Sequence, residues 1–500
     1  MSQGLKSLTA GSIKWNLIDK VSSQLLYAVT GIVLARLLSQ EDFGLVGAVA
    51  VFQAFASLFV DSGFSYALIQ RKHPTHLDYS TVLWFNLIMS GALYVVLFFG
   101  APLIADCFQG DQRIIPISRV MFVSFILNAS AIVQTNRLMK QMKVKMVAVS
   151  NSAGLFAGAI VGIYLAVAGY GAWAIVWQTL TLNFTKSLVL WLTSGWTPLW
   201  RFSMQSLRSF FSVGSGMMFS SFLNVLFQNI YSFFIGNRAG LRQLGYYTQG
   251  DKWSKMGISS ISQVLTSSFL PALSQVQDDP ERFARVTSKM NRFTSYLLFP
   301  AMGFLTIMAE PIFHFLFGTK WDPSIILFQL LLLRGVFTVL TSLYNNYVIA
   351  LARTRLVVAM ETLRDGAALL FLLCALPFVA DTRPGDPVWG IRLLLWGQIA
   401  ASFIAWLVMV IKTAPVCGRR VVDFLRDSAP YLAETVAIMA LLWLESLFVA
   451  DVLLLLIVQA LTALGAYTAI NTIFGSVIQR EVLCFLRGKK KSTENNQNIH

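Results

Sequence analysis

Asn16, Asp19, Lys20, Ser23, Gln24 and Tyr27 lie in one apolar stretch at spacings of i, i+3, i+4, i+7, i+8 and i+11. On a helix of 3.6 residues per turn those spacings draw a single polar stripe. An ionisable group at the centre of a membrane helix costs roughly 2.5–3.5 kcal/mol on insertion scales, so it normally faces a cavity or a partner. The stripe therefore reads as a cavity wall that offers Lys20 to an anion. The competing reading is a structural pairing at Asp19, with Lys20 snorkelling to the interface. A second acid–base dipeptide, Asp251-Lys252, stands in YYTQGDKW from Tyr246, with Lys255 close behind. It reads either as substrate-facing or as an ion pair at the outer end of its helix. Asn224, Gln228, Asn229 and Tyr231 mark another apolar stretch. They suit hydrogen bonding to sugar hydroxyls, and equally packing between helices. Arg334 sits near the middle of a further stretch. Arg292, Glu361 and Arg364 lie within or near others, the two arginines close enough to one end to snorkel, and Asp61 closes the second.

Catalytic chemistry finds few candidates. The histidines are His73, His76, His314 and His500, and only His314 lies in or beside an apolar run. No Walker loop, GxSxG, HExxH or metal-spaced cluster is present. Cys107, Cys374, Cys417 and Cys484 are far apart and form no CxxC, so they predict unpaired thiols and no metal or disulfide framework.

The elements that carry these residues follow from composition. Of 500 residues 56% are hydrophobic and 13% charged, too little charge for a soluble surface of this size. The apolar runs approach 20 residues, enough to cross ~30 Å of hydrocarbon. We predict fourteen spans, at about 13–38, 43–62, 80–105, 114–136, 146–168, 172–193, 209–236, 246–273, 290–317, 324–350, 356–380, 388–411, 429–449 and 452–475. No cleavable signal is expected, because the first span passes straight into the acidic turn Ser39-Gln40-Glu41-Asp42, which suits a helix start.

With both ends in the cytoplasm, the inner loops carry a roughly threefold or greater excess of Lys and Arg over the outer turns. The net charge of +15 is then a topology signal and not a nucleic-acid footprint. The fold class is an all-α polytopic membrane protein: about fourteen transmembrane helices in two pseudo-symmetric six-helix lobes, plus two C-terminal helices. The expected division is 1–194 for the first lobe, 195–208 for an amphipathic cytoplasmic connector and 209–427 for the second lobe. Residues 428–476 hold the last two helices, and 477–500 form a basic cytoplasmic tail whose end, Lys489-Lys490-Lys491 and STENNQNIH, is expected to be disordered. By spacing, Gly44 in the first lobe matches Gly245 in the second. The connector alternates basic and bulky apolar residues at helical spacing, as an interfacial helix or an extension of the seventh span would.

At VLARLLSQEDFGLVG, VDSGFSYALIQRK, GYYTQGDKW, LPALSQVQDDPERF and FGTKW, the sequence resembles the polysaccharide transport family. These are the Wzx-type flippases of the MATE/MurJ-like exporter superfamily, in the branch of the colanic-acid flippase. The likeness covers residues 1–475. It implies a flippase that moves undecaprenyl-diphosphate-linked oligosaccharides from the inner to the outer leaflet of the bacterial inner membrane by alternating access. It implies no cofactor, with proton or sodium coupling open through Asp19 or Asp251. It also implies the lipid-linked oligosaccharide and the bilayer as partners, with polysaccharide polymerase and chain-length proteins beside them. The family's cationic pattern falls here on Lys20 and Lys252, with no basic residue in the middle of the second or seventh span. A cation-coupled drug antiporter would place lone carboxylates in its cavity. A membrane polymerase or glycosyltransferase would carry acidic motifs in large outer loops, and the outer connections here are short.

Overall fold

In the computed structural model, residues 3–61 and 64–486 are described, and among them the secondary structure is helical, with no strand. The helices are α1 (Gln3–Leu37), α2 (Gln40–Asp61), α3 (Phe64–Gln70), α4 (His76–Cys107), α5 (Ile114–Met121), α6 (Val123–Lys140), α7 (Val144–Val167), α8 (Ala172–Ser194) and α9 (Met204–Ala239). They continue with α10 (Leu241–Ser274), α11 (Pro280–Ile307), α12 (Ala309–Phe317), α13 (Asp322–Ala350), α14 (Thr354–Ala375), α15 (Trp389–Val416), α16 (Val421–Phe448), α17 (Val452–Ile473) and α18 (Val477–Leu486). Each of the fourteen expected spans falls on a long helix or on a consecutive pair, α5–α6 or α11–α12. Nine helices among the described residues are long and apolar enough to cross a membrane, or ten if α11 and α12, bent by 62°, are one span. The other four long helices, α8, α9, α10 and α14, carry more polar residues. The expected tail lies outside the described residues from 487 onward, as does the Asp61 side chain.

The chain forms two compact units. One runs to Thr248 and includes Val379–Asp381; the other holds Gln249–Phe378 and the chain from Thr382. The first thus contains α9 and the opening turns of α10.

In the first unit α7 packs on α1 and α8, α6 on α8, and α4 on α6. Gly154, Gly158 and Gly162 form the stripe that lets α7 and α8 approach closely. A methyl there would stand 2.7 Å from Leu182 O, 2.8 Å from Gln178 O and 2.9 Å from Gln178 Cβ. The acidic turn caps α2 as its residue types require. Asp42 Oδ2 accepts from Ser39 N at 2.9 Å, and Ser39 Oγ accepts from Asp42 N at 3.2 Å.

Of the expected connector, residues 195–203 are not helical, while 204–208 open α9 and so extend the seventh span. Gly195 ends α8 at φ +57, and Pro198 disfavours helix at the residue before it. The strap is tied to the first turns of α4 instead. Leu199 N donates to Ser80 Oγ (2.9 Å), Ser203 N to Thr81 Oγ1 (3.1 Å) and Trp84 Nε1 to Leu199 O (2.8 Å). Trp200, 88% exposed, stacks on Trp84. A Ser80→Ala, Thr81→Val protein loses two of these bonds at about 1 kcal/mol each. Trypsin should then cut at Arg201 roughly thirtyfold faster; cleavage at the wild-type rate would mean that these bonds do not hold the strap.

In the second unit α11 packs on α16 and α13, α15 lies between α13 and α14, and α17 rests on α16. Asp427, with its side chain 2% exposed, accepts from Arg292 Nε and Arg419 Nη2, both at 2.6 Å, and from Ser288 Oγ at 2.8 Å. That buried carboxylate fastens the chain between α15 and α16 to α11.

Candidate functional site

On α1 the polar stripe divides. Adjacent helical residues point about 100° apart, so Asp19 and Lys20 do not face the same neighbours. Asp19 turns to α7, where Asn151 Nδ2 donates to Oδ2 at 3.1 Å, while Ser23 Oγ donates to Oδ1 at 3.3 Å. Lys186 of α8 lies within electrostatic reach of the same carboxylate. Asp19 and Ser22 line a cavity of about 440 Å³ between α1 and α7, with Ser152 opposite. Asn16, Lys20 and Tyr27 are exposed and Gln24 is half-buried. Lys20 has no carboxylate partner among the described residues. Asn151 and Lys186 are neighbours of Asp19 that sequence reading missed. Lys186 had a signal, since it is the lone ionisable residue of its span.

The exposed Asn224 and Gln228 come together on α9: Gln228 Nε2 donates to Asn224 Oδ1 at 2.8 Å across one turn. Asn229 instead donates to Val225 O on its own helix, and Tyr231 is buried.

In the second unit Asp251 and Lys252 make different contacts. Asp251 pairs with Lys255 at 2.6 Å, one turn along the same face, as i,i+4 geometry favours. The Lys252 ammonium stands 5.3 Å from the centre of the Trp253 ring. Arg334 lies on α13 where that helix runs beside α10. Its neighbour Gly335 abuts Ile258, and a methyl on Gly250 would meet Phe328 N at 3.2 Å. The Nε of Arg334 is buried with no hydrogen-bond partner among the described residues. Arg292 is held by Asp427, Arg364 pairs with Asp365 at 2.8 Å, and Glu361 is exposed.

The opening turns of α2 and α10 cross within the first unit. A methyl on Gly44 would overlap Leu241 O, and one on Gly245 would overlap Gln40 O, so each of the two glycines matched by spacing meets the carbonyl four residues before the other. Glu41 spans the crossing, accepting from Arg242 at 3.0 Å and from Arg113 at 3.4 Å. In the adjoining loop the Arg113 side chain also bonds Asp111 and holds that carboxyl below its ordinary range.

Residues 33–326 match the polysaccharide biosynthesis protein family, more than half of the chain. The protein belongs to this family. Among its relatives, the succinoglycan biosynthesis transport protein ExoT of Rhizobium meliloti (strain 1021) is 25% identical over 422 residues, covering 84% of this chain and 81% of that protein. The lipopolysaccharide biosynthesis protein WzxC of Escherichia coli (strain K12) is 23% identical, covering 70% of this chain and 71% of that protein. The lipid II flippase MurJ in an inward closed conformation shares the fold, with a TM-score of 0.72 and 17% identity over 94% of this chain and all of that one. An inward-facing multidrug resistance MATE family transporter aligns at TM-score 0.60 and 16% identity over 79% of this chain and 94% of that one. The all-α fold with many apolar helices is that of a polytopic membrane protein, as the hydrophobic runs predicted, and these solved structures share it.

Proposed function

We propose that the protein moves a polyprenyl-diphosphate-linked oligosaccharide from the cytoplasmic to the periplasmic leaflet of the bacterial inner membrane, with both termini cytoplasmic. One observation carries this reading: a sequence of the polysaccharide biosynthesis family on a chain that shares 94% of its length with a flippase fold. The physical need is clear. Each sugar hydroxyl carried bare into hydrocarbon would cost several kcal/mol, and a polar wall replaces the lost water bonds. Asn224, Gln228 and Gln24 supply amides for those bonds. Lys20 and Lys252 supply cations for the diphosphate, and Arg334 a guanidinium. The polyprenyl chain needs no such wall, because it stays in lipid. Carrying negative charge outward is favoured by ~2.3 kcal/mol per charge per 100 mV of inside-negative potential. Asp19 and Asp251 act as positioning residues, through Asn151 and Lys255.

The test is a strain lacking this gene. It should accumulate the lipid-linked oligosaccharide in the inner leaflet, and the wild-type gene should clear it. Lys20→Ala, at normal protein level, should lower surface polysaccharide roughly tenfold or more, the loss expected for one charge-assisted contact. Wild-type polysaccharide from Lys20→Ala would remove Lys20 from the site. Absence of any accumulated lipid-linked glycan in the deletion would overturn the function itself.

A further inference from the structure

The turn between α13 and α14 and the end of α15 enclose a cavity of about 510 Å³, lined by Ala352, Arg353, Arg355, Leu356, Lys412 and Val416. Three of its six lining residues are cations, all exposed. None of their side chains has a carboxylate or hydrogen-bond partner among the described residues. Asp427 holds Arg292 and Arg419, Asp423 accepts from Arg420 N at 2.9 Å and Asp365 pairs with Arg364, while the exposed Glu361 of α14 makes no ion pair with these cations among the described residues. Three like charges around one cavity repel each other unless an anion joins them. The start of α14 adds to the same sign. It has no side-chain cap and no acidic residue in its first turn.

The apolar surface next to this cavity indicates what the anion is attached to. Beyond it, α14 exposes Val358, Leu370 and Leu373, and α15 exposes Phe403, Ile404 and Ile411. Such faces on membrane helices are covered by acyl chains, and basic pockets between helices at a membrane surface take lipid headgroups. We propose that this cavity binds the phosphate of an anionic membrane lipid, whose acyl chains lie along α14 and α15. The site is separate from the one that moves the glycan and does not depend on which glycan is moved. Its chemistry is that of a phosphate ester flanked by two guanidinium groups and an ammonium.

The test uses the delipidated full-length protein in detergent, with bound molecules counted by native mass spectrometry. Phosphatidylglycerol should be retained at least roughly tenfold more tightly than phosphatidylcholine, and inorganic phosphate should compete only weakly. The triple variant Arg353→Gln, Arg355→Gln, Lys412→Gln should lose roughly a hundredfold in its tightest phosphatidylglycerol step. Arg353→Lys with Arg355→Lys should keep most of that affinity, which separates loss of charge from loss of fold. The charge-matched control Arg282→Gln, Arg285→Gln, Arg426→Gln, with the cavity intact, should stay near the wild type. Equal loss in the control would make the effect a general field and overturn the site. Equal retention of the two lipids would overturn it too. Competition by inorganic phosphate as strong as by the lipid would overturn the lipid assignment.

Discussion

Gly245→Ala is expected to lower the unfolding temperature of the protein and Gly245→Leu to abolish its assembly, although alanine is the better helix former. The sign is the informative part. An exposed glycine inside a helix costs about 0.5–1 kcal/mol relative to alanine, so replacing it normally stabilises. At Gly245 the added methyl overlaps Gln40 O, and at Gly44 it overlaps Leu241 O. Both obstacles are backbone in the first turn of a helix, and no rotamer change relieves them. Overpacking costs 1–3 kcal/mol even where side chains can yield, and here α2 and α10 must separate. A leucine enlarges the wedge and breaks the Glu41 bridges to Arg242 and Arg113. Gly366→Ala on α14 is the control, because nothing lies within 4 Å of its added methyl. Thermal unfolding in detergent should rank Gly366→Ala at or above wild type and Gly245→Ala and Gly44→Ala below it. An unfolding temperature raised by Gly245→Ala would show that the crossing is open.

Asp427→Ala should cost about 3–5 kcal/mol, the range for removing one partner of a buried ion pair. The loss strands Arg419, whose side chain is 10% exposed and whose Nη1 already lacks a hydrogen-bond partner among the described residues. Arg292 is 51% exposed and can turn its guanidinium to water. Arg292→Ala should therefore cost only about 1 kcal/mol. Substituting both buried partners, as Asp427→Leu with Arg419→Met, should recover much of the stability lost by Asp427→Ala alone. Denaturant unfolding of the four proteins checks this order. A wild-type midpoint for Asp427→Ala, or a larger loss for Arg292→Ala, would refute the staple.

The class of fold was legible from residue types alone. Helices at the membrane's thickness must be apolar for ~20 residues, and that demand marks nine or ten of the long helices among the described residues directly, while α8, α9, α10 and α14 are more polar. The cap at Ser39-Asp42 and the break at Gly195 and Pro198 are local chemistry too, and those breakers confine the helical part of the connector to the residues from Met204 that extend the seventh span. Resemblance at the ARLLSQEDFG and SGFSYALIQRK stretches pointed to the family that the match over 33–326 shows.

Which partner each polar group meets was not legible. Spacing put Asp19 beside Lys20 and Asp251 beside Lys252, but neighbours in a helix diverge by 100°, and their partners proved to be Asn151 and Lys255. Asp427 took Arg292, 135 residues away, and Gly44 met the turn before Gly245. Periodicity records which face of a helix is polar; it holds nothing about what is packed against that face. That is why the sequence alone determined helices, their polar faces and the family, while only the tertiary structure decided which charges neutralise one another and which, such as Lys20 and the Arg353, Arg355 and Lys412 cluster, are left facing outward.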